Sequence, residues 1–209
     1  MLIGEAVAAG WEIEAEFVAP RGSPVTDRPL FELADGVIER VASTERPQPN
    51  IAVVSIPATS VSLGRLSFVV VADRLADPGN LGTILRSAEA AGVDAVVLTS
   101  GSVDPFNPKV VRASAGAVFH VPVIASDIEE IRASGLQLIG TSSHQGDRHT
   151  DADWSGRIAI VLGNEAHGLP DAAPMDRWVR IVHQGRAESL NVAMAATILV
   201  VEAARQRSA

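Results

Sequence analysis

The sequence has no cysteine, no tyrosine and a single lysine, Lys109. The first absence excludes disulfide scaffolds, thiolate metal sites and cysteine nucleophiles. Without tyrosine, and with aromatics at 4% of residues, a broad base-stacking platform for single strands is excluded too. Positive charge is scarce: 17 Lys and Arg stand against 25 Asp and Glu, a net charge of −8. Contact with nucleic-acid phosphate would need a local cluster of cations. No apolar run reaches the roughly 18 residues of a membrane span. The longest, 190–201, is interrupted by Asn191 and Thr197. The amino terminus carries Glu5 and no early basic residue, unlike a signal peptide, so a cytoplasmic protein without membrane contact is expected. What remains, 47% hydrophobic and 20% charged over 209 residues, is globular and sufficient for one domain with a small appendage.

Residues 1–60 and 66–209 differ in pattern, and each is expected to form its own domain. In the first, residues 1–9 read as the end of a helix, and 12–18 and 51–54 as short strands. The Pro-, Ser-, Thr- and Asp-rich stretches 21–27 and 46–50 read as loops. This is a small α/β unit with a thin core, followed by a linker at 56–64. Beyond it, unbroken apolar runs at 68–72, 95–98, 136–139, 158–162 and 179–182, with 120–124 as a sixth, suit strands covered on both faces. Helical segments at 81–91, 108–114, 128–133 and 189–207 lie among them. The alternation predicts a doubly wound α/β sheet. The last helix is apolar on nearly every side, and one sheet covers only one of them, which predicts a second subunit against it.

Ligands of open α/β sheets bind at the carboxyl ends of the strands, and here those ends are polar. They are the turns Asp73 to Gly82, Gly140-Thr141-Ser142, Gly163 to Leu169, and His183-Gln184-Gly185 leading to Glu188-Ser189-Leu190-Asn191. The first turn is not G-x-G-x-x-G, which argues against dinucleotide folds and the common Rossmann-type methyltransferases. A P-loop motif is absent, and Ala113-Ser114-Ala115-Gly116 is not a nucleophile elbow. Asn80 can cap a helix starting at Leu81 or face a ligand. Arg86 either pairs with Glu89 or faces a ligand across the small residues Gly82 and Thr83. Lys109 and Arg112, three apart on a helix, form either a solvated face or a phosphate contact. The five histidines lack ligand spacing, so no metal is expected.

Three blocks together resemble the SpoU family of RNA ribose methyltransferases, within the SPOUT superfamily. They are Asn80-Leu81-Gly82-Thr83-Ile84-Leu85-Arg86-Ser87-Ala88; Ile160 through Leu169; and Ile181 through Gly185 with Ser189-Leu190-Asn191-Val192-Ala193. The stretch Asn107 through Ala117 is similar as well. The resemblance covers about residues 66–207. It implies an α/β fold ending in a trefoil knot, a homodimer, S-adenosylmethionine as cofactor, and RNA, most of all rRNA, as partner. It implies Arg86 as the catalytic arginine, with Asn80, Glu165, Ser189 and Asn191 shaping the same site. Cofactor contacts would come from main-chain groups near Thr141, Leu162, Gly163, Ile181 and Leu190. RNA contacts would come from Arg74, Lys109 and Arg112.

Residues 1–60 are similar to the small ribosomal-protein-like substrate-binding domain of rRNA-modifying members, shortened as if a first strand and helix were missing. Where the family usually has Ile-Pro-Met before the third block's glycine, this chain has Ile181-Val182-His183. A catalytically silent RNA-binding module with an altered cofactor turn, a tRNA 2′-O-methyltransferase, and an ordinary small-molecule binder are the competing readings.

Overall fold

The computed structural model describes residues 2–42, 44–58 and 61–208. Met1, Ser43, Thr59, Ser60 and Ala209 lie outside them. They belong to the expected first helix, the first domain, the linker at 56–64 and the end of the second domain. The chain divides into two compact units, Met1–Ala58 and Thr59–Ala209.

In the first unit the elements are α1 (Leu2–Ala8), β1 (Ile13–Val18), β2 (Leu30–Glu32), α2 (Ile38–Val41) and β3 (Asn50–Val54). The sheet order is β2-β1-β3, with β2 parallel and β3 antiparallel to β1. The expected loop at 21–27 folds over a buried carboxylate. Glu16 of β1 accepts hydrogen bonds from the Val25 and Thr26 amides, the Thr26 hydroxyl and the Asn50 side-chain amide, at 2.7–3.1 Å. Burial pushes its carboxyl pKa up, but these donors outweigh burial and hold it below the ordinary value. Neither β2 nor α2 is legible in the sequence. The strand is three exposed residues and the helix a single turn, so neither carries a burial period.

The second unit contains β4 (Phe68–Ala72), α3 (Pro78–Ala90), β5 (Ala95–Leu98), α4 (Pro108–Ala113), β6 (Val123–Ala125), α5 (Ile128–Ala133), β7 (Gln137–Ser142), β8 (Asp147–Arg148), β9 (Ile158–Leu162), β10 (Arg177–Arg180) and α6 (Val192–Arg207). Its seven strands form one parallel sheet in the order β6-β5-β4-β9-β7-β10-β8. Residues of β4, β5 and β9 alternate between two cores. Phe68, Val70 and Ala72 face the side occupied by α3, α4 and α6. Val69 and Val71 face the side occupied by α5. Burial on both faces explains why these strands are unbroken apolar runs.

Three strand assignments need correction. The run at 136–139 is β7, Gln137–Ser142, so Gly140-Thr141-Ser142, expected to be a turn, is strand. Only Val179 and Arg180 of the run at 179–182 are strand; β10 is Arg177–Arg180, in register with Ile139 to Ser142 of β7. Only Val179 of β10 is buried, while Ile181 and Val182 lie beyond the strand, Ile181 lining the site described below. Of the sixth run, 120–124, only Val123 and Ile124 are strand, in β6 (Val123–Ala125); His120 instead caps the 3-10 turn Ala117–Phe119.

Helix α3 packs between α4 and α6. At Gly82 an added Cβ would lie 2.4 Å from the Ala113 Cβ and 2.8 Å from the Ser114 nitrogen. The small residue thus serves contact between helices, and the expectation that it leaves room for a ligand is corrected. On the other side of α3 the Ser87 and Thr197 hydroxyls meet at 2.6 Å, tying it to α6.

Candidate active site

Because all seven strands are parallel, the loops after β4, β9 and β10 emerge at one edge. Asp77 begins the construction. Its carboxylate accepts the Asn80 amide at 2.8 Å and caps α3, with Pro78 in the first turn where its missing N–H costs nothing. The expectation that Asn80 itself caps the helix is therefore corrected, and its side chain is free to reach outward. The Asn80 carboxamide donates to Glu165 at 3.2 Å and accepts from the Asn191 carboxamide at 3.0 Å. Glu165 also accepts the Asp77 amide at 2.8 Å and the Ala76 amide at 3.2 Å. Partial burial pushes the Glu165 pKa up, but the amide donors led by Asp77 hold the carboxyl below the ordinary value, so it stands as a carboxylate clip. Asn191 caps α6, accepting the Ala193 and Met194 amides at 2.9 and 3.3 Å. Three of the five residues expected to shape catalysis thus form one chain of hydrogen bonds joining three loops.

Beside this chain lies a cavity of about 450 Å³. Thr141, Leu162, Gly163, Ile181 and Leu190, the expected cofactor residues, all line it, and Glu165, Ser189 and Asn191 share its wall. The Thr141 hydroxyl is spent on the Val161 carbonyl at 3.0 Å, so only its main chain is available. Gly163 is forced by the loop itself: an added Cβ would lie 2.2 Å from the Gly168 carbonyl carbon. Among the described residues, no main-chain amide from 182 to 190 donates a hydrogen bond. The segment is exposed apart from half-buried His183, so these amides are open to a ligand, and beside apolar Leu162, Val179 and Leu199 they suit one with both flat apolar and polar parts.

Two residues of the site escaped the sequence reading as positioning groups. Asn164 donates to the Arg74 carbonyl at 2.9 Å, locking the β9 loop onto the β4 loop. His183 lines the cavity with its ring nitrogens 3.2 Å from the Ile181 carbonyl and 2.7 Å from the Ala187 carbonyl, bracing the β10 loop. The signal for both was their place in polar turns; nothing in the sequence indicated what each would bond.

Arg86 does not line the cavity. It is exposed farther along α3, and its guanidinium makes no hydrogen bond or ion pair among the described residues, so the Glu89 pair is not formed. Lys109 and Arg112 are exposed on the short α4. Arg74, at φ 51° without being glycine, holds its guanidinium 3.1 Å from the Asp73 carboxylate. Among the described residues, no cluster of three His, Cys, Asp or Glu could hold a metal ion, and no helix is long and apolar enough to cross a membrane.

Residues 67–201 match the model of the SpoU rRNA methylase family. The chain is 39% identical over 177 residues to the Bacillus subtilis 23S rRNA (guanosine(2553)-2′-O)-methyltransferase RlmP, covering 81% of this chain and 70% of that protein. It is 35% identical over 188 residues to the 23S rRNA (uridine(2479)-2′-O)-methyltransferase of Streptomyces viridochromogenes, covering 83% of this chain and 66% of that one. The crystal structure of the SpoU methyltransferase AviRb from Streptomyces viridochromogenes, in complex with AdoMet, superposes with a TM-score of 0.84 at 31% identity. That match covers 99% of this chain and 87% of the other. The family model spans most of the second unit, including all three polar loops and the carboxamide chain that joins them, and on that ground the chain belongs to the SpoU rRNA methylase family.

Proposed function

We propose that this protein methylates a ribose 2′-hydroxyl in rRNA, using S-adenosylmethionine held in the cavity between the β7, β9 and β10 loops. The observation that carries the reading is the convergence of the Glu165–Asn80–Asn191 chain with a cavity whose 182–190 main chain is unspent. The group fits what is there: apolar Leu162, Val179 and Leu199 for a flat ring, and free amides for its polar edges. Main-chain groups at Thr141, Leu162, Gly163, Ile181 and Leu190 would hold it. When bound, S-adenosylmethionine supplies an electrophilic methyl carbon on a sulfonium.

The rest of the work is positional. The ribose oxygen must approach in line and lose its proton as it attacks. A guanidinium is always protonated and cannot take that proton. Arg86 instead stabilises the developing alkoxide and holds the adjacent phosphate, whose oxygen passes the proton to solvent. Asn80, Glu165 and Asn191 fix the loops, and Ser189 orients the sugar. Arg86, Lys109 and Arg112 contact phosphates, so binding to RNA should weaken as salt rises.

Arg86 can serve a site it does not line if a second copy supplies it. Met194, Ile198 and Val201 form an exposed apolar stripe on α6, at 54%, 37% and 55% exposure. Arg86 lies on the exposed face of the adjoining α3. A homodimer packed on this surface would cover the stripe and bring each Arg86 toward the partner's cavity. The knot belongs to the same reading: β10 follows β9 but pairs on the far side of β7, so the chain must pass back across β7 before α6. The first unit, residues 1–60 by the sequence reading, would be the ribosomal-protein-like substrate-binding domain, and the protein would work in the cytoplasm.

The test is methylation of unmodified rRNA with labelled cofactor, with 2′-O-methyl positions mapped. Arg86→Ala is expected to abolish transfer while S-adenosylmethionine still binds by calorimetry. Undiminished turnover by that variant would remove Arg86 from the mechanism, and absence of cofactor binding by the wild type would leave only the silent RNA-binding module.

A further inference from the structure

At the end of the Gly163–Leu169 loop, next to the cofactor cavity, lies a second hollow of about 320 Å³. Leu169 lines both. Its walls are apolar, formed by Ile128, Leu169, Pro170 and Met175 among others, and its polar groups are Asp73, Arg74 and Glu129. We propose that this hollow receives the base of the nucleotide being methylated, and that it is built for guanine. The proposal rests on the methyl-transfer reading, because only that reading brings a nucleotide to this edge of the sheet.

The charges decide the class of ligand. Two carboxylates and one guanidinium leave the lining net negative, which disfavours phosphate or any other anion. Apolar walls accept a flat ring, and a guanidinium stacks on one. The two carboxylates are not equivalent. Asp73 is spent: it accepts the Thr99 hydroxyl at 2.7 Å and the Arg74 guanidinium at 3.1 Å. Glu129 is exposed and makes no hydrogen bond among the described residues. A free carboxylate beside a ring-sized hollow calls for adjacent N–H donors on one edge. Guanine presents two on its Watson–Crick edge, N1–H and the 2-amino group, matching the two oxygens; uracil has one such donor. The hollow is also held to the transfer site. The left-handed Arg74 backbone is fixed by its amide donating to the Thr99 hydroxyl at 3.0 Å and its carbonyl accepting from Asn164 at 2.9 Å, and Asn164 adjoins Glu165 in the β9 loop.

Ala172→Trp and Glu129→Gln test this in the full-length protein. Ala172 is an exposed wall residue, so tryptophan fills the hollow without entering the core. Ala172→Trp is expected to leave the S-adenosylmethionine dissociation constant within about twofold by calorimetry. It should raise the RNA KM at least about tenfold, or stop transfer altogether. Guanosine and inosine, which differ by the 2-amino group, are the probes for the base. Saturation-transfer NMR should give a stronger guanosine signal in the wild type, and Glu129→Gln should equalise the two without affecting cofactor binding. An unchanged RNA KM in Ala172→Trp, or equal guanosine and inosine signals in the wild type, would overturn the proposal. The nucleoside measurement needs no turnover: a wild type that methylates no RNA but distinguishes the two nucleosides would refute methyl transfer, and with it the claim that the bound base belongs to a nucleotide being methylated, leaving only the hollow's preference for guanine.

Discussion

Asn191→Ala should loosen the site and the last helix together. The carboxamide does two things in the structure: it caps α6 through the Ala193 and Met194 amides and donates to Asn80. Loss of an Asn cap to Ala costs about 1 kcal/mol, within a range of roughly 0.5–2. The Asn191–Asn80 bond adds about 0.5–1.5 kcal/mol, toward the lower end because solvent can replace it. The total is about 1.5–2 kcal/mol. With a denaturant slope of about 2–3 kcal/mol per molar urea, the midpoint should fall by somewhat under 1 M. Asn191→Asp separates the two contributions, since it still caps and adds a charge that a helix N-terminus favours but cannot donate to Asn80. It should recover most of the stability while the S-adenosylmethionine affinity stays reduced. The decisive measurement is a double-mutant cycle with Asn80→Ala, read by urea unfolding. A coupling near 1 kcal/mol is expected; additivity within about 0.3–0.5 kcal/mol would refute the claim that the two carboxamides act as one unit.

Other outcomes follow from neighbouring parts of the molecule. Gly82→Ala should cost about 1–3 kcal/mol by overpacking, because α3 must retreat from Ala113; an unchanged melting temperature would show that the helices are not in that contact. Glu16→Ala should cost about 1–3 kcal/mol by leaving several donors without their acceptor, seen as faster hydrogen exchange at the Val25 and Thr26 amides. In the wild type the Glu16 carboxyl sits below its ordinary value of 4.5, so its stabilisation is complete above that pH and drains away as pH falls through the lowered value. Exchange at those amides should therefore accelerate only on acidification below about 4.5, and acceleration on raising the pH beyond the intrinsic rate would contradict the sign. His183→Ala should weaken S-adenosylmethionine binding about tenfold with a smaller change in kcat, and unchanged affinity would show that the β10 loop does not need its brace.

The sequence was most legible where burial is two-sided. The strands β4, β5 and β9 were read to the residue because every position is apolar and covered. β10 was misplaced because its one buried residue, Val179, lies between Trp178 and Arg180 in a strand that begins and ends on arginine, while the apolar Ile181 and Val182 follow it. That Leu162, Gly163, Ile181 and Leu190 share one cavity follows from residues in the second and third blocks, while Thr141 joins them from outside the blocks. The wiring was not legible. Asn80 lies 85 positions from Glu165 and 111 from Asn191, and no periodicity spans such gaps. The same limit concealed the Asp77 cap, because Asn before an apolar helix and Asp before a proline offer the chain equally good starts. Gly82 shows the converse error: a small residue near a suspected ligand site was needed by a neighbouring helix.

The position of Arg86 leads to the sharpest test of the assembly. Within one chain it is exposed and does not line the cavity it is meant to serve, and its helix packs against α6, which carries the apolar stripe. If both are satisfied by the same packing of two copies, the catalytic arginine acts in trans. Arg86→Ala and Gly163→Val then disable different halves of each site; the second forces apart the Gly163–Gly168 contact that shapes the cavity. Each variant alone should be inactive. Mixed and reassorted, half of the dimers carry one of each chain. In such a dimer the Arg86→Ala chain keeps an intact cavity and receives a native Arg86 from its partner. Roughly a quarter of wild-type activity should return, as expected for random reassortment of a two-fold dimer with two sites. If Arg86 served its own chain, each mixed dimer would carry one defect in each site and no activity would return. Recovery on mixing therefore separates the two arrangements even where the inactive parents behave alike.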